Sequence, residues 1–256
     1  MAATARLLLF LVVSFLVSSS SSSSRVAIST SSSPASPRNV SLVLYYETLC
    51  PYCSNFIVNH LPKIFHDGLI SIVDLDLIPY GNARLGSNST ISCQHGPNEC
   101  LLNTVEACAI NAWPDLSIHF SFIYCVEHLV LEHKYTEWES CFSKLGLDSN
   151  AVLNCYDSGH GKELELQYAE QTDSLQPPHR YVPWVVVDGQ PLYEDYEKFE
   201  AYICKAYHGE PPETCLSLLP KKDHKMKADN HVSYADELFS SSIAAVHGEA
   251  KIEMVV

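Results

Sequence analysis

Val40–Tyr46 (VSLVLYY) is a run of β-branched, aromatic and aliphatic residues and predicts a buried strand. A short loop, Glu47-Thr48-Leu49, leads from it into Cys50-Pro51-Tyr52-Cys53. Apolar residues then recur at Phe56, Ile57, Leu61 and Ile64, a helical spacing across Ser54–Phe65, with Pro62 placed to kink or end it. Leu69–Ile78 (LISIVDLDLI) alternates apolar and polar positions and predicts a second strand. Strand, helix and strand in this order predict a parallel, right-handed unit over Val40–Ile78.

Pro79–Ser92 is rich in Gly, Asn and Ser and predicts a loop. A helix is expected from Gly96-Pro97, with Gly96 as N-cap, Pro97 at the first helical position and Glu99 in the first turn. Its apolar face would be Leu101, Val105, Cys108 and Ala112, and Pro114 closes it. Leu116–Glu132, Tyr135–Leu145 and Leu164–Ser174 also carry helical patterns, so residues 94–175 approximately predict a helical insertion. Pro183–Asp188 (PWVVVD) predicts a further strand, turned by Asp188-Gly189 into a partner at Gln190–Tyr193. Asp195–Tyr207 predicts a final helix.

Composition adds a compartment. Hydrophobic residues are 46% of the 256 and charged residues 18%, enough apolar matter for a packed core. The net charge of −14 disfavours nucleic acid as a partner, because phosphate binding needs clustered Lys and Arg. Arg6, the apolar run Leu7–Val17 and the serines after it match a secretory signal over residues 1–24. That run is shorter than the roughly 20 residues a bilayer span needs, so no membrane association is expected once it is removed. A Ser-rich linker over 25–38, one domain over 39–215 and a charged tail over 216–256 complete the expected organisation. Asn39 and Asn88 stand in N-x-S/T sequons and are expected glycan acceptors on the secretory route.

The ten cysteines gain meaning in that oxidising setting. Cys50 and Cys53 sit at a strand-to-helix junction, where unsatisfied N–H groups and the helix dipole favour a thiolate on the first. Cys50 would attack a disulfide and Cys53 would resolve the mixed disulfide, so these two are the expected catalytic pair. In acid the lowered thiol pKa matters. At pH 5, moving it from about 8.5 to roughly 4.5 gains about 2,000-fold in thiolate. The lower nucleophilicity returns roughly 40- to 100-fold of that. Pro51, Tyr52, Val182 and Pro183 are the expected substrate-contacting residues. A proline opposite Cys-x-x-Cys and directly before a strand is where thioredoxin-like folds hold a cis-proline.

Other readings of these cysteines stay open. Cys50 and Cys53 could be an inert bridge, or half of a zinc site completed by Cys93 with His95 or Cys100. Running in the opposite direction, the same centre would be an oxidase or isomerase, and without redox chemistry the chain would be a disulfide-stapled binding protein. The remaining cysteines, Cys93, Cys100, Cys108, Cys125, Cys141, Cys155, Cys204 and Cys215, are candidates for structural disulfides, with 105 possible pairings. No bound metal or cofactor is expected beyond the redox disulfide and an external thiol donor.

Cys93-Gln94-His95-Gly96-Pro97-Asn98-Glu99-Cys100-Leu101-Leu102-Asn103, closing at Cys108, resembles the signature of the gamma-interferon-inducible lysosomal thiol reductase (GILT) family. Every fixed position, C-Q-H-G, then E-C, N and C, is met, with the Cys-x-x-Cys upstream and Pro183-Trp184-Val185 downstream, over roughly Val40 to Cys215. The resemblance implies an α/β, thioredoxin-like, disulfide-rich fold with a helical insertion. It implies an enzyme that reduces protein disulfides through Cys50 and Cys53 in a lysosome, vacuole or the extracellular space, with disulfide-containing proteins and a small-thiol reductant as partners. Within the signature, His95 either tunes the thiols or caps a loop.

Overall fold

The computed structural model describes residues 37–218. The expected signal peptide, most of the linker and most of the tail lie outside them. Strand β1 (Val40–Tyr46) is central because it is flanked on both sides. It pairs in parallel with β2 (Val73–Pro79), from Val40 opposite Val73 to Tyr46 opposite Pro79, and antiparallel with β5 (Trp184–Val187). Asp188 and Gly189 both take positive φ, 48° and 82°, and turn the chain into β6 (Gln190–Pro191), the hairpin backbone that Asp-Gly favours. The sheet order β2-β1-β5-β6, with β5 running against β1, is the thioredoxin-like arrangement. Leu42, Leu44 and Tyr46 are fully buried in its core.

Between β1 and β2 the helix is shorter than its periodicity predicts. Helix α1 (Pro51–Asn55) runs into a π-turn at Phe56–His60, and α2 (Lys63–His66) resumes beyond Pro62. The Leu61 N–H reaches back five residues to the Phe56 carbonyl, at 2.9 Å. Pro62 supplies the reason: it has no N–H to continue the ladder, and its ring displaces the carbonyl four residues back. The strand expected from Leu69 begins at Val73. Leu69–Ile72 instead form a 3₁₀ turn behind Gly68, whose φ is 75°. Alternation alone did not separate that turn from the strand it leads into.

The segment read as a plain loop holds a small hairpin, β3 (Arg84–Leu85) and β4 (Ile91–Ser92), with exposed Asn88 near its tip. Asn39 lies at the start of β1, its amide donating to Asp74 at 2.9 Å. The insertion is helical: α3 (Pro97–Ala112), α4 (Leu116–Leu131), α5 (Ser140–Leu145), α6 (Asn150–Asp157) and α7 (His160–Asp173). The pattern over Tyr135–Leu145 resolves into a 3₁₀ turn at Tyr135–Glu137 followed by α5, and α6 was missed. The insertion has its own core, including Leu102, Val105, Phe122, Val126, Phe142 and Val152. Disulfides Cys108–Cys155 and Cys125–Cys141 staple it, Cys93–Cys100 closes the loop before α3, and Cys204–Cys215 ties α8 (Phe199–Ala206) to α9 (Glu213–Leu218). Gly161 lets α7 approach the first staple, since a Cβ there would sit 2.8 Å from Cys108 Sγ. Past β6, the expected partner strand stops at Pro191. The last expected helix is a 3₁₀ segment, Tyr193–Lys198, and then α8.

Candidate active site

Strand β1 delivers the chain through Glu47, Thr48 and Leu49, the last at φ 64°, to Cys50, the N-cap of α1, with Pro51 in the first turn. Cys50 and Cys53 are the two free cysteines among the described residues, and both are buried. Cys50 keeps 6% of its surface exposed and Cys53 none. The two thiols ionise in opposite senses. The Cys53 thiol hydrogen-bonds to Cys50 and lowers its pKa from 9.0 to about 6, against the cost of burial; the N–H groups of Cys53 and Tyr52 and the charge of His95 add to the lowering. Burial first, then the hydrogen bond and charge of Cys50, push Cys53 well above 9.0. A buried thiolate beside a buried thiol is the arrangement that stepwise disulfide exchange requires.

Across the sheet, the Val182–Pro183 peptide is cis, and the Val182 carbonyl lies 3.9 Å from Cys50 Sγ. Tyr181 packs edge-on to Trp184 at 5.4 Å, which seats this segment on β5. Beside the thiol, Tyr52 is 68% exposed, a large aromatic face open to whatever approaches Cys50. Thus the structure brings together Cys50, Pro51, Tyr52, Cys53, Val182 and Pro183. Cys93 and Cys100 pair with each other, which removes them as zinc ligands to the Cys-x-x-Cys.

The signature segment braces the loop that leads into Cys50. Glu99, fully buried, accepts the backbone N–H groups of Gln94 (3.2 Å) and His95 (2.7 Å) and contacts His95 Nδ1 at 2.6 Å. This resembles a capping box shifted outward: a glutamate in the first turn reaching back to satisfy N–H groups ahead of the helix. The Thr48 hydroxyl donates to the Glu99 carbonyl at 3.2 Å, and the Thr48 N–H donates to Asn103 Oδ1 at 2.9 Å. Asn82 Nδ2 donates to Gln94 Oε1 at 2.7 Å.

Glu47 stands three residues before Cys50 with no exposed surface. Its Oε2 accepts the Asn82 N–H at 2.6 Å, and its Oε1 lies 3.5 Å from His95 Nδ1. Burial raises its carboxyl from 4.5 to about 7, against the Asn82 N–H, with the charges of Glu99 and Cys50 adding and His95 opposing. Gly81, at φ 57°, closes over it; a Cβ there would meet Glu47 Oε2 at 2.5 Å. Donor atoms of Glu47, His95 and Glu99 all fall within 4.8 Å of one another, close enough to hold a cation. Hydrogen bonds already engage them.

Beneath the helix lies a second acidic group that the sequence reading did not single out. Tyr46 donates to Glu106 Oε2 at 2.7 Å and Ser54 donates to Glu127 Oε2, while Glu106 Oε1 and Glu127 Oε1 are buried without a hydrogen-bond partner among the described residues. Burial raises Glu106 well above 4.5 and Glu127 to about 8. A signal did exist: Glu106 interrupts the apolar face of α3 beside Leu102, Val105 and Ala109, and Glu127 that of α4 beside Ile123, Val126 and Val130.

Residues 41–145 match the family model "Gamma interferon inducible lysosomal thiol reductase (GILT)". A gamma-interferon-responsive lysosomal thiol protein of Arabidopsis thaliana is 43% identical over 208 residues, 77% of this chain and 85% of its own. The gamma-interferon-inducible lysosomal thiol reductase of Mus musculus is 34% identical, over 72% and 74%. Among solved structures, DsbA of Chlamydia trachomatis aligns over 68% of this chain and 88% of its own, at 15% identity and a TM-score of 0.48. On its identity to curated relatives over most of their length, the chain belongs to the gamma-interferon-inducible lysosomal thiol reductase family and is a thiol–disulfide oxidoreductase.

Proposed function

We propose that the chain reduces disulfide bonds of protein substrates through Cys50 and Cys53, in an acidic compartment of the secretory pathway or outside the cell, with a small external thiol as reductant. The opposed ionisation of the two thiols at the head of α1, beside the carbonyl before a cis-proline, carries this reading. The Cys50 thiolate attacks a substrate disulfide, forming a Cys50–substrate disulfide and releasing one substrate sulfur, which takes a proton. Cys53 then loses its proton and attacks Cys50 Sγ, releasing the second substrate sulfur and closing Cys50–Cys53. Two electrons pass to the substrate, and the external thiol returns them. Tyr52 and the Val182–Pro183 backbone supply the contact face.

The reducing direction and the acidic setting are supported by the words "lysosomal thiol reductase" in the names of relatives. The chemistry agrees. With Cys50 at about 6, about one thiol in ten is ionised at pH 5, against about one in 10,000 at the ordinary 9.0. After the loss of nucleophilicity over three units, the net gain is roughly 30- to 60-fold. That is a milder depression than the sequence reading assumed, with a similar return.

The test is reduction of a denatured, disulfide-bonded protein from pH 4 to pH 8 with a small-thiol donor. Turnover is expected at pH 5, with a loss on the order of 1,000-fold or more in Cys50→Ser. Cys53→Ser should accumulate a substrate-linked adduct visible by mass. Turnover in Cys50→Ser equal to the parent would exclude this mechanism.

A further inference from the structure

The chain is acidic, with 30 Asp and Glu against 16 Lys and Arg, but one cleft beside the thiols is not. Three arginines fall among the described residues, and two of them, Arg84 and Arg180, line a single cleft of about 780 Å³. The third, Arg38, pairs with Asp188 at 3.0 Å. Arg84 and Arg180 are exposed, and neither has an ion-pair partner among the described residues.

The cleft begins beside the reactive sulfur. Arg180 stands two residues before Val182, whose carbonyl lies 3.9 Å from Cys50 Sγ, so at most about 7 Å of chain separates the two residues. Tyr181, between them, lines the cleft as well. Arg84 comes from β3, paired across the small hairpin with Ser92. Gln94 of the signature segment forms part of the wall and is fixed there by the 2.7 Å hydrogen bond from Asn82.

We propose that this cleft receives an acidic side chain of the protein substrate, close to the disulfide under attack, and that Arg84 and Arg180 hold its carboxylate. The proposal rests on the reading of Cys50 as the attacking thiolate and adds to it a preference among disulfides. Guanidinium groups suit a carboxylate, which they bind through paired hydrogen bonds. Asp and Glu side chains, with ordinary pKa values of about 3.9 and about 4.3, are mostly ionised at pH 5, and arginine keeps its charge, so the attraction survives in acid. The one acid in the lining, Asp173, opposes it. Size separates a protein segment from the small reductant. The cleft falls within the roughly 300–1,000 Å³ of sites that enclose whole ligands. A small thiol would leave most of it empty. A stretch of chain leading away from the attacked cysteine would fill it, its backbone meeting the polar side chains of Asn82, Ser92 and Gln94.

The test uses homodimeric peptides joined by one disulfide, identical save for Glu, Gln or Lys two residues to either side of the cysteine. Turnover is measured at pH 5 and low salt with a neutral small thiol as reductant, and each kcat/KM is divided by that peptide's rate with the thiol alone. The parent should favour the Glu peptide over the Gln peptide on the order of 5-fold, as two exposed charge pairs would, and the Gln peptide over the Lys peptide. Arg84→Gln and Arg180→Gln should each lower the Glu-to-Gln ratio by about 2-fold, and the double variant should bring it to about 1. Asp173→Asn should raise it, and added salt should compress it. Taking the ratio within each variant cancels any general loss of fold or chemistry. Equal rates with the three peptides, or a preference that survives loss of both arginines, would overturn the proposal. Equal peptides together with an Arg180-dependent advantage of a carboxylate-bearing thiol over a neutral one would assign the cleft to the reductant and overturn it too. A parent that reduces none of the peptides would count against the proposed function itself, and the proposal would fall with it.

Discussion

Reduced protein treated with iodoacetamide is expected to label at Cys50 with a midpoint near pH 6, while Cys53 stays unlabelled through pH 8. The rate ratio at pH 7 should be on the order of 100-fold or more. At that pH about nine-tenths of Cys50 is thiolate, and Cys53, held well above 9.0, is below about 1%. Greater intrinsic nucleophilicity of the rarer thiolate works against this ratio. Access works for it, since Cys53 has no exposed surface. The largest cause of the Cys50 depression is the hydrogen bond from the Cys53 thiol, and that yields a second expectation. Cys53→Ser, which keeps an O–H donor, should hold the midpoint near the parent value. Cys53→Ala should move it upward, leaving only the N–H groups of the helix start and His95 to oppose burial. Peptide-resolved mass measurement across pH 4–9 reads both. Equal labelling of the two cysteines, or a Cys50 midpoint near 9, would contradict the asymmetry on which the exchange mechanism stands.

That asymmetry follows from where a short sequence sits in the fold, which explains how much was legible beforehand. Cys50-Pro51-Tyr52-Cys53 and the strand before it were readable because local chemistry dictates both: a β-branched run, then a proline where a helix can start. Pro183 was readable because it precedes a short β-branched run that Asp188-Gly189 turns back as a hairpin. The pairing of the eight other cysteines was not, because bridges such as Cys108–Cys155 join residues 47 apart, which only tertiary packing brings together. Residues 69–72 misled for a physical reason. A 3₁₀ turn entering a strand presents the same short apolar run, and one positive-φ glycine marks the difference.

The functional surroundings of the thiols were legible in type and not in place. Gln94, His95, Glu99 and Asn103 were evident as a pattern, but nothing in the chain order shows that Glu99 and Asn103 hold Thr48, or that His95 reaches Glu47. These contacts join the insertion to the loop ahead of Cys50. The insertion therefore does more than cover one face of the sheet: it supplies Glu99, Asn103, Glu106 and Glu127 to the neighbourhood of a pair of sulfurs that lie outside it. Glu47 itself looked like an ordinary loop residue, because an isolated glutamate after a strand is normally solvated.

The buried glutamates carry the second large expectation: the oxidised protein should be most stable near pH 5 or below and lose stability on the order of 5 kcal/mol by pH 8. Glu47 and Glu127 ordinarily titrate near 4.5 and, with the two thiols free, at about 7 and about 8 in the fold, and Glu106 is shifted in the same direction. Burial is the largest cause in each, so closing the bridge, which removes the smaller effect of the Cys50 charge, keeps the direction. Between those values the folded chain holds protons that the unfolded chain has released, so unfolding becomes easier as pH rises. The stabilisation is complete below about 4.5 and is gone once pH has passed the folded values. Cys50 acts in the opposite sense: its depressed thiol contributes stability above its ordinary 9.0 that is lost as pH falls through about 6. Closing the Cys50–Cys53 bridge removes that contribution, which is why the oxidised form is the one to measure. With a urea slope of roughly 2 kcal/mol per molar, the midpoint should fall by roughly 2 M between pH 5 and pH 8. Glu127→Gln replaces a group that must either keep a proton or bury a charge. It should leave the midpoint at pH 5 nearly unchanged and recover part of the loss at pH 8. A midpoint that is level or rises over this range would show that the glutamates are hydrated and ionised in the fold, and the acid preference would then have to come from the thiols alone.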